Sequence, residues 1–392
     1  MKLTRQSFTF YPIIILLFYY YGNIYAQSST KNISFTPQLL CIDNNEACAI
    51  GDINQDGLAD VVAGRLWYAA PDFVPRPLRA IDLHPPDYAR NNGEHFLDID
   101  GDGWLDVLTT GWGETRILWY KNPGLSDLEK GLPWLPNTLA NAGNGNGEIG
   151  SLQDINADGR PEYIVNSYVK TNPFIIWKLD QDSNKTPIMT GTEIGPRSSH
   201  GVGFGDINGD GRMDILIDEG WYEQPKQDIW KGAWTWHRDW NLPDASCPVL
   251  VVDLNEDGRN DIIWGRGHNY GLYWSEQGPP INDSTTWTQH LIDSTWSQAH
   301  ALTWADLDGD GQDELITGKR IKAHSGKDPG SSDPAFIYRY LWNKTRQEFN
   351  RQEIANGKIG TGLVIRVADL NADGRKDIVV AGKTGTYILW QE

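Results

Sequence analysis

Seven times this chain spells a nine-residue acidic loop, Asp-x-Asn/Asp-x-Asp-Gly-x-x-Asp/Glu, at spacings of 46 to 63 residues. A unit of that length cannot bury an apolar face alone, so successive copies must stack on one another. Oxygen-bearing side chains at positions 1, 3, 5 and 9, with Gly at 6 for a sharp turn, suit a hard cation of calcium size. The first three loops offer Asp52, Asn54, Asp56 and Asp60; then Asp98, Asp100, Asp102 and Asp106; then Asp154, Asn156, Asp158 and Glu162. The fourth and fifth offer Asp206, Asn208, Asp210 and Asp214, and Asp253, Asn255, Asp257 and Asp261. The last two offer Asp306, Asp308, Asp310 and Glu314, and Asp369, Asn371, Asp373 and Asp377.

These loops account for most of the formal charge of −18, because they hold 23 of the 52 carboxylates. Seven divalent ions would neutralise much of that charge, so metal and stability are expected to be linked, with calcium in a structural role. The acidic balance argues against a nucleic-acid partner. Lys2 and Arg5 precede an apolar run too short for a membrane span, and residues 1–26 read as a secretory signal peptide. A secreted or periplasmic protein follows, with residues 27–392 as one domain. Of the three cysteines, Cys41 and Cys48 are close enough in sequence for a local disulfide, which would leave Cys247 free.

Short β-branched runs flank each loop, as in Val249–Val252 before and Ile262-Ile263-Trp264 after the fifth. A third, aromatic strand follows, as in Leu272-Tyr273-Trp274, and a more polar fourth closes most units. Four antiparallel strands repeated about a centre make an all-β propeller blade. The last unit ends after its third strand, and an orphan strand near residues 34–43 precedes the first loop. Joining the two closes a seven-bladed ring and covers an exposed edge. In these loops and strands the chain resembles the FG-GAP/VCBS repeat family. That resemblance implies a propeller with calcium loops between the first two strands of its blades.

If each loop joins strands 1 and 2, the start of strand 1 and the end of strand 2 lie on the opposite face. Six residues before the loops stand Glu46, Asn92, Glu148, His200, Cys247, His300 and Leu363. Just past strand 2 stand Arg65, Arg266, Lys319, Arg320 and Lys383, with His268 close by. A long insertion in the sixth unit, residues 321–334, adds His324 to that face. Imidazoles among cations suit an anionic substrate. Trp112 and Trp221, also past strand 2, are candidates for stacking on a sugar ring. His84, His237 and His290 fall on outer or connecting segments, and His95 is left open between core and channel.

The chemistry that fits is elimination from an acidic sugar. The C5 proton of a uronate lies α to its carboxylate; pairing that carboxylate with a cation acidifies the proton, and a neutral His or a Tyr can remove it. His200 and His300 are assigned as base and acid in either order. Arg266, Lys319 and Arg320 would hold the carboxylate, while His268, His324 and Tyr270 would position the ring or bind a metal. The segments Ser199-His200-Gly201, Gly267-His268-Asn269-Tyr270-Gly271, His300-Ala301-Leu302 and Ala323-His324-Ser325-Gly326 resemble sugar dehydratases built on this propeller. Those are the aldos-2-ulose dehydratases and the bacterial dehydratases of ulvan oligosaccharides. The resemblance implies a lyase giving 4,5-unsaturated products, and admits a catalytic zinc ion at the His cluster. The alternative is a non-catalytic, calcium-stabilised propeller of integrin-like or lectin-like kind, binding a glycan or a protein.

Overall fold

The computed structural model describes residues 32–392 apart from 85–86, 144, 232–233 and 282–283. The expected signal peptide therefore lies outside the described residues. Seven four-stranded antiparallel sheets follow one another along the chain, and each acidic loop joins the first two strands of its sheet. We number them as blades 1 to 6, spanning 49–77, 93–141, 147–195, 202–237, 250–297 and 299–356, with blade 7 beginning at 365. Blade 7 takes its outermost strand from the other end of the chain: Phe35–Cys41 pairs antiparallel with Gly385–Gln391, from Phe35 opposite Gln391 to Leu39 opposite Tyr387. The ring is closed by main-chain hydrogen bonds, and the polar edge of the last blade is covered.

The second strands carry the core. Val61, Val62, Ile262, Ile263, Trp264 and the run Ile378 to Ala381 expose nothing, because each second strand is packed on both faces. In blades 1, 2, 4 and 5 a Trp from the third strand stands opposite the residue two past the loop: Trp67, Trp119, Trp221 and Trp274. All four are buried, as are Trp134, Trp177, Trp234, Trp240, Trp264 and Trp296, so most of the Trp content is packing. Trp221 belongs to this set and does not offer a face to a sugar. Its indole stacks on His237 at 4.2 Å and donates from Nε1 to Asp239 at 2.8 Å.

Each loop turns on the Gly at position 6, whose φ lies between +83° and +89° in all seven copies, a region that a side chain disfavours. In blade 1 the position-1 carboxylate of Asp52 accepts from the N–H groups of Asp56 (3.1 Å) and Gly57 (3.0 Å). The position-9 carboxylate of Asp60 accepts from Ile53 N–H at 2.9 Å. Gly51 pairs with Asp60 next to the loop and Ala49 with Val62 away from it, a register that recurs from blade to blade. The loops thus lie at one end of the blades, and the first-strand starts and second-strand exits at the other. His95 sits in the first strand of blade 2 with Nε2 2.9 Å from the Gly150 carbonyl oxygen, facing the neighbouring blade. All three cysteines are free thiols: Cys48 points its Sγ at the Val379 carbonyl oxygen, so the local disulfide does not form.

Candidate active site

First-strand starts and second-strand exits border a cavity of about 920 Å³ at the end of the blades away from the acidic loops. His200, His268, His324, Glu148, Asp328 and Tyr88 are among its lining residues. His200 enters from the start of blade 4, and His268 from the turn after the second strand of blade 5, Asp261–Gly265. Gly267 lets the His200 and His300 rings approach the turn that carries His268. A Cβ there would lie 3.2 Å from His200 Cε1, 3.1 Å from His300 Cδ2 and 2.9 Å from Ser246 Cβ.

His200 Nδ1 lies 2.8 Å from the Ala245 carbonyl oxygen, and His268 Nδ1 lies 2.8 Å from Asp328 Oδ2. A carbonyl and an ionised carboxylate only accept, so both Nδ1 atoms carry hydrogen and both Nε2 atoms are bare in the neutral rings. Those two Nε2 atoms face each other at 3.1 Å. Two lone pairs at that distance repel unless a proton or a metal ion lies between them. Glu148 Oε1 is 3.3 Å from His200 Nε2 and 3.4 Å from His300 Nε2.

Burial shapes this charge. It drives His268 down to about 4, helped by His200 and Arg320, and holds His300 well below the usual imidazole range. Burial also opposes a charge on His200, but the Glu148 carboxylate outweighs it and raises that imidazole. Burial would likewise raise Glu148; the neighbouring imidazoles hold it well below an ordinary carboxylate.

His324 comes from the blade-6 insertion, on the short turn Ala323–Gly326. Lys322, His324 and Ser325 have φ of 54°, 46° and 55°, a left-handed stretch that costs non-glycine residues about 1 kcal/mol each. Three ties hold it. His324 Nδ1 lies 2.8 Å from Asp328 Oδ1, Ser325 Oγ 2.9 Å from Asp87 Oδ1, and Ser325 N–H 3.3 Å from the Tyr88 hydroxyl. The insertion thereby reaches the short hairpin Leu83–His84/Tyr88–Ala89 that follows blade 1.

The expected cations are placed differently from a substrate-binding ring, because each is already engaged. Arg320 lines the cavity but forms two 2.9 Å bonds to Glu46. Arg65 faces Asp43 at 3.7 Å, Arg266 faces Asp244 at 3.5 Å, and Lys383 faces Asp87 at 3.4 Å and lies over the Tyr88 ring. Lys319 is fully buried, its Nζ 2.9 Å from Ser297 Oγ. Tyr270 donates to Asp333 at 2.8 Å, tying down the insertion. His300 has no accessible surface, so it cannot touch a substrate as acid or base. Trp112 does line the cavity, its ring 6.1 Å from that of Tyr88. Sequence reasoning missed Asp328 and Tyr88 as members and Glu148 as a partner. Glu148 stands six residues before its loop, as His200 and His300 do, and that shared offset was the available signal.

His200, His268 and His300 each bring a ring nitrogen within 4.8 Å of the other two. Both ring nitrogens of buried His300 lack a hydrogen-bond partner. An all-imidazole set, with Glu148 beside it and Asp328 and the Ala245 carbonyl oxygen behind, fits a transition metal such as zinc.

A family model described as FG-GAP-like repeat matches residues 154–217 and 253–317. The aldos-2-ulose dehydratase of Phanerodontia chrysosporium is 22% identical over 321 residues, which is 68% of this chain and 33% of that protein. The chain thus spans about a third of the length of that relative. Among solved structures, an Agrocybe aegerita lectin described as recognising non-reducing terminal N-acetylglucosamine is 17% identical, with a TM-score of 0.48 over 92% of this chain and 99% of that one. The V. cholerae biofilm matrix protein Bap1 is 10% identical, with a TM-score of 0.48 over 91% of each chain. Among the described residues no helix is long and apolar enough to cross a membrane. The sheets make the chain a seven-bladed β-propeller, and two stretches of it, in blades 3 to 6, match the FG-GAP-like repeat.

Proposed function

We propose that this propeller is an exported carbon–oxygen lyase acting on a sugar. It would eliminate water, or a glycosyl group, from C4 of a uronic acid residue in an anionic oligosaccharide such as an ulvan fragment. Similarity to a sugar dehydratase supports the substrate class. The observation that carries the chemistry is the Asp328 carboxylate shared by two stacked imidazoles on the cavity wall.

Asp328 takes the Nδ1 hydrogen of His324, which leaves Nε2 of that ring as the open base. His324 Nε2 removes the C5 proton, the C–H electrons become the C4–C5 double bond, and the C4–O bond breaks with its electron pair. The Tyr88 hydroxyl, which burial keeps protonated, gives its proton to the departing oxygen. The imidazolium and tyrosinate are then reset by proton exchange through water. Trp112 supplies an apolar face for a sugar ring. Lys327, exposed on the lip and in no ion pair among the described residues, is the cation left for the substrate carboxylate. A transition metal held by His200, His268 and His300 would supply Lewis-acid polarisation of that carboxylate. Calcium in the acidic loops would serve only the scaffold.

The test is incubation with uronate-containing oligosaccharides while following the ultraviolet absorbance of a 4,5-unsaturated uronate. His324→Ala and Tyr88→Phe should each remove the rise, and His237→Gln should not. A rise that survives both substitutions sinks the assignment of base and acid. Retained binding with no rise would favour a non-catalytic glycan-binding propeller, which the pairing of the expected cations also suits.

A further inference from the structure

The seven acidic loops differ at position 3, and the difference has a structural counterpart elsewhere in the blade. Five loops have Asn there: Asn54, Asn156, Asn208, Asn255 and Asn371. In four of the five the amide Nδ2 donates to the position-5 carboxylate, for example Asn54 to Asp56 at 2.9 Å and Asn371 to Asp373 at 3.0 Å. Blades 2 and 6 have Asp100 and Asp308 instead, and so carry one more carboxylate at positions 1, 3, 5 and 9 than the other loops.

In both of these blades a basic side chain from the third strand or its end contacts the additional carboxylate. Lys121 meets Asp100 and lies 2.9 Å from Asp102, the position-5 group that the amide serves elsewhere. Arg339 occupies the register position that is Trp in blades 1, 2, 4 and 5. Its Nη1 reaches Asp308 Oδ2 at 2.9 Å and Glu314 Oε1 at 3.2 Å, with both Arg339 and Asp308 side chains 1% exposed. The second oxygen of each aspartate, Asp100 Oδ1 and Asp308 Oδ1, is buried without a hydrogen-bond partner. In each of the two loops three carboxylates bring an oxygen within 4.8 Å of one another.

We propose that Lys121 and Arg339 are tethered counter-charges for the two loops that replace Asn by Asp. Each holds one oxygen of the position-3 carboxylate and leaves the other for a divalent cation; in blades 4, 5 and 7 the counter-charge is instead an Arg at position 7 that pairs with the position-5 carboxylate. A hydrogen-bonded partner behind a ligand fixes its orientation and tunes the ion it holds. Without that partner, four carboxylates crowd together, and the ion-free loop suffers more than the loaded one. These two residues are positioning residues, and the inference is independent of any catalytic role for the protein.

The test is a cycle of thermal unfolding with calcium and with chelator. Arg339→Met should widen the gap between the two melting temperatures by roughly 5 °C or more, with most of the loss in the chelated protein. Asp308→Asn/Arg339→Met, which removes the additional carboxylate together with its counter-charge, should bring the gap back to the wild-type value. Lys121→Met and Asp100→Asn/Lys121→Met repeat the cycle at a half-exposed site where folding is not at stake. Equal losses with and without calcium in the single variants, or double variants that do not restore the gap, would show that the two bases are packing groups and overturn the proposal.

Discussion

His268 and His324 stack with ring centroids 4.1 Å apart and planes 12° apart, and each places its Nδ1 2.8 Å from a different oxygen of Asp328. One carboxylate therefore fixes the tautomer of two rings whose Cα atoms belong to different blades. Burial would raise Asp328, but the two imidazoles hold it below the ordinary Asp range, so it stays an acceptor at neutral pH. Asp328→Asn keeps the size and presents one oxygen and one N–H₂, so only one of the two rings can keep its tautomer. The expected outcome is a fall in kcat of about 100-fold with KM changed much less, the signature of a lost proton-transfer group. Equal losses in kcat/KM and in melting temperature would mark Asp328 as structural only.

Glu46 and Arg320 are 274 residues apart in sequence yet form two 2.9 Å bonds next to the cavity, with both side chains nearly inaccessible. Glu46→Gln would leave a guanidinium buried without its counter-charge, at a cost of about 3 kcal/mol. Glu46→Gln/Arg320→Met should recover most of that loss, because an apolar pair needs no desolvation of charge. Chemical denaturation of the three proteins measures both steps.

That pair also shows where reading the sequence stops. Acidic spacing and β-branched runs marked the blades and the face of the loops, because both are periodic and local, and the long-range closing strand followed from the strand the last unit lacks. His200 and His300 were legible from their offsets to the loops, His268 from its place past strand 2, and His324 only from the insertion that carries it. The role of the cations was not, since Glu46, Asp43, Asp244 and Asp87 reach them from segments no short-range pattern links. Trp221 was misread for a related reason: its place past strand 2 looks exposed until its partner His237, from the outer strand, is known. The tie between the insertion and Tyr88 depends on the curl of the ring and leaves no mark in spacing.

His95 predicts an acid-sensitive seam between blades 2 and 3. Burial, seconded by Arg366, lowers its pKa to about 3 from 6.5. The fold thus prefers the neutral ring, and the stability this provides is complete above the unfolded value of 6.5 and lost as pH falls towards 3. His95 is only half-buried, so the share that depends on this group is about 3 kcal/mol rather than the full value of the shift. His95→Gln keeps an N–H for the Gly150 carbonyl oxygen and has no proton to take up. Urea midpoints measured from pH 7 to pH 4 should fall less steeply in this variant than in the wild type; parallel slopes would assign the acid limb to carboxylates alone.

Chelation tests the scaffold itself. Each loop gathers three or four carboxylates at positions 1, 3, 5 and 9, and their hydrogen bonds come mainly from backbone N–H groups within the same turn. Those bonds orient the oxygens without neutralising them, and ion pairs from Lys121, Arg212, Arg259, Arg339 and Arg375 offset only part of the charge, so a loop without its cation carries repulsion that the folded state concentrates and the unfolded chain disperses. Removing divalent ions should lower the melting temperature by about 10 °C or more, because a ligand that binds only the folded state stabilises it by mass action. Added sodium chloride should restore part of this loss by screening. Calcium should restore all of it, and magnesium less, because the smaller ion gives up its water reluctantly and demands a stricter octahedron. A melting temperature indifferent to chelator would mean that the loops stand as turns without ions, and that their acidity serves only solubility.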